Sequence, residues 1–477
     1  MYILLAIFIF GALIFIHELG HFIVARLCGV KVLEFAIGMG PKLFSIKSKK
    51  SGTVYAIRLF PIGGFVSMLG ENGMEPVQGS SQLEDQAPTD PSESNENTEF
   101  GDGFFVSSND KHSDGTYDPK AESREQVVDA ETAKHAYCNQ SVWKRILISI
   151  AGPAMNIILG FVLMLVIVIL GGHGNVGTTV VSGFYVTYTG EESYMGLQKD
   201  DYIIGVNGVE IDSYGQMKDL VEANAGGAFT LHILRWNADE QKVDELELQN
   251  VILDTERIGA EYITYSRSEQ GGLRPMDRVV KVNNTPVHTA YELSYELMMQ
   301  GYRPLTITVI RDGKQMVLEN ITLPNEADPE TGVQMGVIDF YIYPEPDFGA
   351  GTVLKHTWYR SLSNIKMVFD SLSGLFSGRY GFEAVSGPVG ITKTITEMAQ
   401  MGYMYVLQLV TLISINLGVM NLLPFPALDG GHLLIYAIEA IRRKPLKPEI
   451  EGIINFVGLV LILGLAVLIL IKDIIAL

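Results

Sequence analysis

Four apolar runs dominate the chain, near Ile3 to Leu27, Ile146 to Leu170, Tyr403 to Leu423 and Ile453 to Ile471. Each is long enough as a helix to cross about 30 Å of hydrocarbon, so each predicts a membrane span. The first has no basic residue ahead of its apolar part and no small-residue cleavage site, and it carries His17 and Glu18. It therefore reads as a retained helix rather than a secretory signal. Between the first two spans the pattern changes twice. Val32 to Ile46 and Val54 to Leu69 are rich in β-formers and broken by Gly38, Gly40, Pro41, Pro61, Gly63 and Gly64, which predicts a β-hairpin or small sheet over 29–70. Its apolar residues, among them Phe35, Ile37, Leu59, Phe60 and Phe65, suit the membrane boundary, and its unpaired edge can receive an extended peptide. Residues 71–137 carry 16 acidic and 4 basic side chains with almost nothing to bury. That composition predicts a disordered cytoplasmic insert, either a solvated linker or a regulatory tail.

An internal repeat lies between the second and third spans. Gly196-Leu197 to Asn207-Gly208 is echoed by Gly272-Leu273 to Asn283-Asn284, a period of 76 residues. Each copy continues into a helical stretch, Tyr214 to Ala223 and Ala290 to Gln300, and then a strand, Thr230 to Arg235 and Leu305 to Arg311. A Gly-Leu turn, an Asp and a strand ending in Val-Asn resemble the PDZ module, giving two PDZ-like α+β domains at 176–252 and 253–341. Such modules bind extended peptides by adding a strand, although the open edge is part of the fold whether or not it is used. Val353 to Phe376 mixes Trp358, Tyr359 and Arg360 with apolar residues at helical spacing, which predicts an interfacial helix, and Ser386 to Ile391 marks a tight loop, both within 350–400.

Composition agrees with the spans. Of 477 residues 47% are hydrophobic and only 19% charged, with a mean hydropathy of +0.22, too apolar for a soluble protein of this size. The formal charge of −19 offers no broad basic surface, which sets nucleic acid aside as a partner. Cys28 and Cys138 form no disulfide framework, zinc ribbon or redox pair and read as free thiols. Arg26, Lys31, Lys42, Lys47, Lys49 and Lys50 follow the first span. Lys144 and Arg145 precede the second, and Arg442, Arg443, Lys444 and Lys447 lie between the last two. The positive-inside rule puts these three clusters in the cytoplasm, both termini outside, and the 180–350 region outside as well.

The chemistry lies in the spans. His17-Glu18-Leu19-Gly20-His21 places two imidazoles four residues apart on one helical face, where both can hold a single metal, with Glu18 able to serve a water beside it. Ionisable groups in an apolar helix are costly and usually mark function. A two-histidine zinc site needs a third protein ligand, and Asp429 in Asn421-Leu422-Leu423-Pro424-Phe425-Pro426-Ala427-Leu428-Asp429-Gly430-Gly431-His432 is the candidate. The topology puts His21 and Asp429 at similar depth near the cytoplasmic side. Asp429 as a plain helix cap and His432 as a competing ligand are the alternatives.

These motifs, with Phe35 to Pro41, Pro61 to Val66 and Gly152-Pro153-Ala154-Met155-Asn156, resemble the site-2 protease family of intramembrane zinc metalloproteases, in the bacterial branch typified by the regulator of sigma-E protease. The resemblance spans nearly the whole chain except the acidic insert, which is longer than that branch leads one to expect. It implies one zinc ion on His17, His21 and Asp429, Glu18 as general base, and substrate contacts at Asn416, Asn421 and the strand bearing Gly63 and Gly64. It also implies PDZ-like domains that filter substrates by size. The expected fold is a polytopic α-helical membrane protein of about four transmembrane helices, with a membrane-associated β-hairpin or sheet and two extracytoplasmic PDZ-like domains. Its expected parts are 1–28, 29–70, 71–137, 138–172, 176–252, 253–341, 350–400, 401–432 and 450–473. The expected location is the bacterial plasma membrane, and the expected partners are single-span proteins or remnant signal peptides pre-trimmed by a site-1 protease. A peptide-binding scaffold with a non-catalytic metal site and a metal transporter are the rival readings.

Overall fold

The computed structural model describes residues 2–71, 130–190, 192–224, 226–237, 242–253, 263–328, 332–381, 384–444, 446 and 448–475. They form two compact units, Met1–Gly160 with Ser386–Leu477 and Phe161–Val385. The chain opens with helix α1 (Tyr2–Leu27), followed by the long strands β1 (Val32–Lys47) and β2 (Val54–Met68). Both strands kink, at Gly38 and Gly40 in β1 and at Gly63 in β2, all with φ near +85°. Folded on themselves, they sandwich Glu34–Ile37 between Val54–Ile57 and Gly64–Ser67, while Phe44–Lys47 pairs with Val54–Ile57 from the far side. Phe35 anchors this sheet on α1 against Phe15 and Phe22, with ring centroids 5.8 and 5.2 Å apart. The other end of the sheet exposes Leu43, Phe44, Ile46, Ile57 and Phe60.

Most of the acidic insert expected at 71–137, residues 72–129, lies outside the described residues. Its last part is ordered, contrary to that expectation. Helix α2 (Ala130–Ala133) leads to Ala136 and Tyr137, which are buried at 0% and 4% exposure. Tyr137 does have apolar surface to bury, in the cluster that includes Val32, Phe35, Met68 and Ile148. Helix α3 (Val142–Gly171) follows.

The second unit contains β3 (Gly177–Phe184), β4 (Val186–Tyr188), β5 (Tyr202–Val206), β6 (Val209–Glu210), α4 (Tyr214–Glu222), β7 (Ala228–Asn237), β8 (Lys242–Ile252) and β9 (Ile263–Tyr265). It continues with α5 (Arg267–Gln270), β10 (Arg278–Val282), β11 (Thr285–Pro286), α6 (Ala290–Gln300), β12 (Leu305–Arg311), β13 (Lys314–Ile321), β14 (Asn325–Ala327), β15 (Gln334–Gly336), β16 (Phe340–Pro344) and α7 (Ala350–Phe376). Its two large sheets run β8-β7-β5-β4-β9 and β13-β12-β10-β3-β16. The boundary expected at 252/253 therefore does not hold. The first strand, β3, belongs to the second module, where Val181 and Phe184 enter its core, and the first module is nested between β3 and β10. The 76-residue repeat holds at the level of single bonds. Arg235 grips the fully buried Asp201 through Nε and Nη2, both at 2.7 Å, and donates to Gly196 O. Arg311 does the same to Asp277 at 2.7 and 2.6 Å and to Gly272 O. Each paired carboxylate is thus satisfied inside its module. Helix α7 docks on α6, with Tyr291 Oη donating to Asn364 and Tyr295 Oη to Asp370.

Back in the first unit, α8 (Pro388–Met401) is a helix where a loop was expected, because Pro388 sits at its first position, where a missing N–H costs nothing. Its Ile395 is fully buried against Ala6, Ile9 and Leu13 of α1. The expected single segment 401–432 is divided into α9 (Tyr403–Asn421) and α10 (Asp429–Arg442), and α11 (Pro448–Ile475) ends the fold. The break comes from Pro424, Pro426 and Ala427, whose φ is +68°. Helices α1, α3, α9 and α11 are long and apolar enough to cross a membrane.

Candidate active site

The site begins with an unusually close approach of α1 and α3. A Cβ at Gly20 would lie 2.3 Å from Ala151 O, and one at Gly152 would lie 2.2 Å from His21 Nε2, so neither position has room for a side chain. At this distance His21 Nδ1–H donates to Ile148 O at 2.8 Å, leaving the Nε2 lone pair free. The amide of Asn156, fully buried on α3, approaches Nδ1 of His17 at 3.3 Å. Its oxygen has no other partner, so the orientation that satisfies it turns that oxygen to accept Nδ1–H, freeing Nε2 of His17 as well.

Asp429 arrives from the broken end of the third apolar run. The segment Leu422–Leu428 folds back over the start of α10 so tightly that a Cβ at Gly430 would lie 2.1 Å from Leu423 O. Asp429, the first residue of α10, is thereby aimed at α1. Its Oδ2 lies 3.1 Å from His17 Nε2 and 3.4 Å from His21 Nε2, and the two Nε2 atoms are 3.3 Å apart. Ligands about 2.0–2.1 Å from a tetrahedral zinc stand about 3.3 Å from one another. The three donors, of the right type and at the right mutual distances, can hold one such ion, and they are the only such His/Cys/Asp/Glu group among the described residues. His432, the alternative ligand, is not in this cluster; its Nδ1 is 3.4 Å from Glu451.

The cluster opens into a cavity of about 220 Å³ that Glu18 also lines. A Cβ on Gly64 would come within 2.9 Å of Glu18 Cγ, so this stretch of β2 runs beside the carboxylate. Residues 64–68 of β2 pair on one side only among the described residues, with β1. Gly63 is turned toward Met39. Asn416 is exposed and Asn421 half-buried on α9, and neither lines the cavity. Sequence reasoning missed the role of Asn156, whose signal was a lone amide within an apolar run. It also missed Glu71, Tyr137, Tyr436 and Glu451, which complete the cavity wall. Glu71 accepts the Met68 N–H at 2.9 Å, and burial holds its carboxyl above the ordinary carboxylate range.

Four membrane-length helices, with two histidines, an aspartate and a glutamate facing one cavity, frame the comparison with known proteins. The sequence model of peptidase family M50 matches residues 5–465. The chain belongs to peptidase family M50. The chain is 29% identical over 493 residues to the zinc metalloprotease RasP of Shouchella clausii, an alignment covering 98% of this chain and 97% of that protein. It is 29% identical over 497 residues to the regulator of sigma-W protease RasP of Bacillus subtilis, covering 98% and 97%. It is 26% identical over 487 residues to the regulator of sigma-E protease RseP of Escherichia coli, covering 96% and 95%. The family resemblance read from the motifs is borne out, and this M50 peptidase is a multi-pass membrane protein.

Proposed function

We propose that this M50 peptidase holds one zinc ion on His17, His21 and Asp429 and cuts peptide bonds inside the membrane spans of pre-trimmed single-span substrates, of the anti-sigma-factor or remnant-signal-peptide class. The observation that carries this reading is the convergence of two Nε2 atoms and Oδ2 within 3.4 Å of one another, in a cavity shared with Glu18. Bound there, zinc supplies Lewis acidity toward water and toward the scissile carbonyl. Glu18 takes the proton of the attacking water and returns it to the leaving amine. Asn156 and Ile148 O hold the imidazoles so that their free lone pairs stay convergent.

A helical substrate keeps its carbonyls in i to i−4 bonds and must unwind before it can be cut. The side of β2 at Gly64–Ser67 that β1 does not pair, next to Glu18, offers replacement backbone bonds to an extended segment. The family resemblance also gives Asn416 and Asn421 substrate contacts, which would lie along α9 outside the cavity that the zinc ligands and Glu18 line. The basic flanks of the spans support a reading in which the active site faces the cytoplasm and the β-rich modules act as PDZ-like size filters outside a bacterial plasma membrane. Mass spectrometry of a truncated single-span substrate, incubated with the purified protein and with Glu18→Gln, tests the proposal. A cut within the span that disappears in the variant and with chelator is expected. No cut by folded, zinc-loaded protein would overturn it in favour of a scaffold or a transporter.

A further inference from the structure

The cavity extends past the three proposed ligands and the proposed base to groups that the mechanism leaves unused: Glu71, His432 and Glu451, together with Tyr137 and Tyr436, whose hydroxyls are 2.8 Å apart. Among the described lining residues there is no lysine or arginine. Glu451 is the telling group. The first turn of α11 carries two acids, and the exposed Glu449 serves the helix dipole as well as an inward one would. Glu451 nevertheless points inward at 6% exposure, with Oε2 buried and without a hydrogen-bond partner. Its Oε1 is 3.4 Å from His432 Nδ1, a buried nitrogen that likewise has no hydrogen bond. A buried carboxylate is tolerated when something cationic pairs with it; here the one neighbour of that kind among the described lining residues is the His432 imidazole at Oε1, and Oε2 faces no lysine or arginine. Burial also holds Glu71 above its ordinary pKa, against the lowering effect of the Met68 N–H bond.

This inference rests on the intramembrane cut proposed above. We propose that this end of the cavity is a specificity subsite for a lysine or arginine side chain of the substrate, within a few residues of the cut bond. Glu451 and Glu71 supply the charge, while the Tyr436 ring is already taken by the Arg145 guanidinium, 4.8 Å from its centroid, and walls the subsite rather than binding the cation. The chemistry suits the expected substrates, because membrane spans are flanked on the cytoplasmic side by lysine and arginine. A second metal is disfavoured, since Glu71, His432 and Glu451 do not gather their donor atoms as His17, His21 and Asp429 do.

The test is a series of single-span substrates that carry lysine, glutamine or glutamate at successive positions of the cytoplasmic flank, cut by zinc-loaded protein in lipid nanodiscs. One position is expected at which lysine lowers KM about tenfold relative to glutamine. That ratio should fall to within about twofold in Glu451→Gln and in Glu71→Gln, and Glu451→Lys should turn the preference toward glutamate. A flat series at every position with the wild-type protein overturns the subsite even if a variant fails to fold. So does a lysine preference that survives intact in both glutamine variants. If the wild-type protein cuts no member of the series, the proposed proteolysis itself falls and the subsite with it; cutting with a flat series removes the subsite alone.

Discussion

Replacing Gly152 by alanine adds one methyl group and should dismantle the metal site. The new Cβ would lie 2.2 Å from His21 Nε2, 2.7 Å from Cε1 and 2.8 Å from Cδ2, whereas real contacts do not fall below 3.0 Å. The imidazole must therefore retreat by about 0.8 Å, against a tolerance of about 0.2 Å for a metal–ligand distance. Backing α3 away instead would pull Ile148 O from His21 Nδ1, now 2.8 Å away. Losing an outer-shell partner typically weakens metal binding about 10–100-fold, and displacing the ligand itself predicts a loss of about 100-fold or more. Helix propensity works the other way, since alanine is favoured over glycine by about 1 kcal/mol within a helix, so a weakened helix is not an alternative explanation. Zinc retained against graded chelator, together with substrate cleavage, should be compared among wild type, Gly152→Ala and Gly11→Ala, the last being a site with nothing within 4 Å of its Cβ. A Gly152→Ala protein that keeps zinc and cuts within about twofold of wild type would refute the close-approach argument.

Asn156→Ala removes the partner of His17 Nδ1 and should weaken zinc about 10–100-fold in the same chelator competition; unchanged affinity would show that the amide does not orient the ring. Glu439→Gln removes the carboxylate that Arg145, 7% exposed, meets at 2.9 Å, and so breaks a buried ion pair while the Tyr436 ring stays 4.8 Å from the guanidinium. A stability loss of about 3–5 kcal/mol is expected in denaturant titration, and a loss below about 1 kcal/mol would mean that Arg145 is satisfied otherwise. In the second unit, burial raises the Glu345 carboxyl, but hydrogen bonds from Lys355 and His356 outweigh it and hold it below its ordinary 4.5; burial keeps His356 below its ordinary 6.5. Both groups bind fewer protons folded than unfolded, so each contributes stability that is lost on acidification, His356 below about pH 6.5 and Glu345 below about pH 4.5. The thermal midpoint of the full chain should fall between pH 7 and 4; a flat or rising midpoint would contradict this.

The spans and the three converging donors were legible because both obey local rules: length of apolar run for the helices, and four-residue spacing for His17 and His21. Asp429 was legible only through topology, since nothing local distinguishes a ligand from a helix cap. The nesting of the modules escaped a reading by repeat alone. The period of 76 residues identifies equivalent strands, yet β3 precedes the first copy, and its partners β10 and β16 lie about a hundred residues or more downstream. Strand pairing at that range leaves no trace in a local pattern. Glu451 escaped for a related reason: an acid at the start of an apolar run looks like a solvated flank until the direction of its side chain is known. The helix α8 was hidden by its own proline, which reads as a loop signal unless its position at a helix start is recognised.

Because β3 and β16 are adjacent antiparallel strands, with Gly177 opposite Pro344 and Phe184 opposite Phe340, the chain enters and leaves the β-rich unit at one place. Tension applied between those two ends would travel along this single ladder and the core behind it. The inner module joins the loaded one through the chain at Tyr185 and Ser266 and through the Phe184 N–H to Asp212 O bond, and is not itself a strand of that ladder. A pull from the flanking chain would therefore be felt by the second module first, while the first stays folded and free to keep whatever it holds.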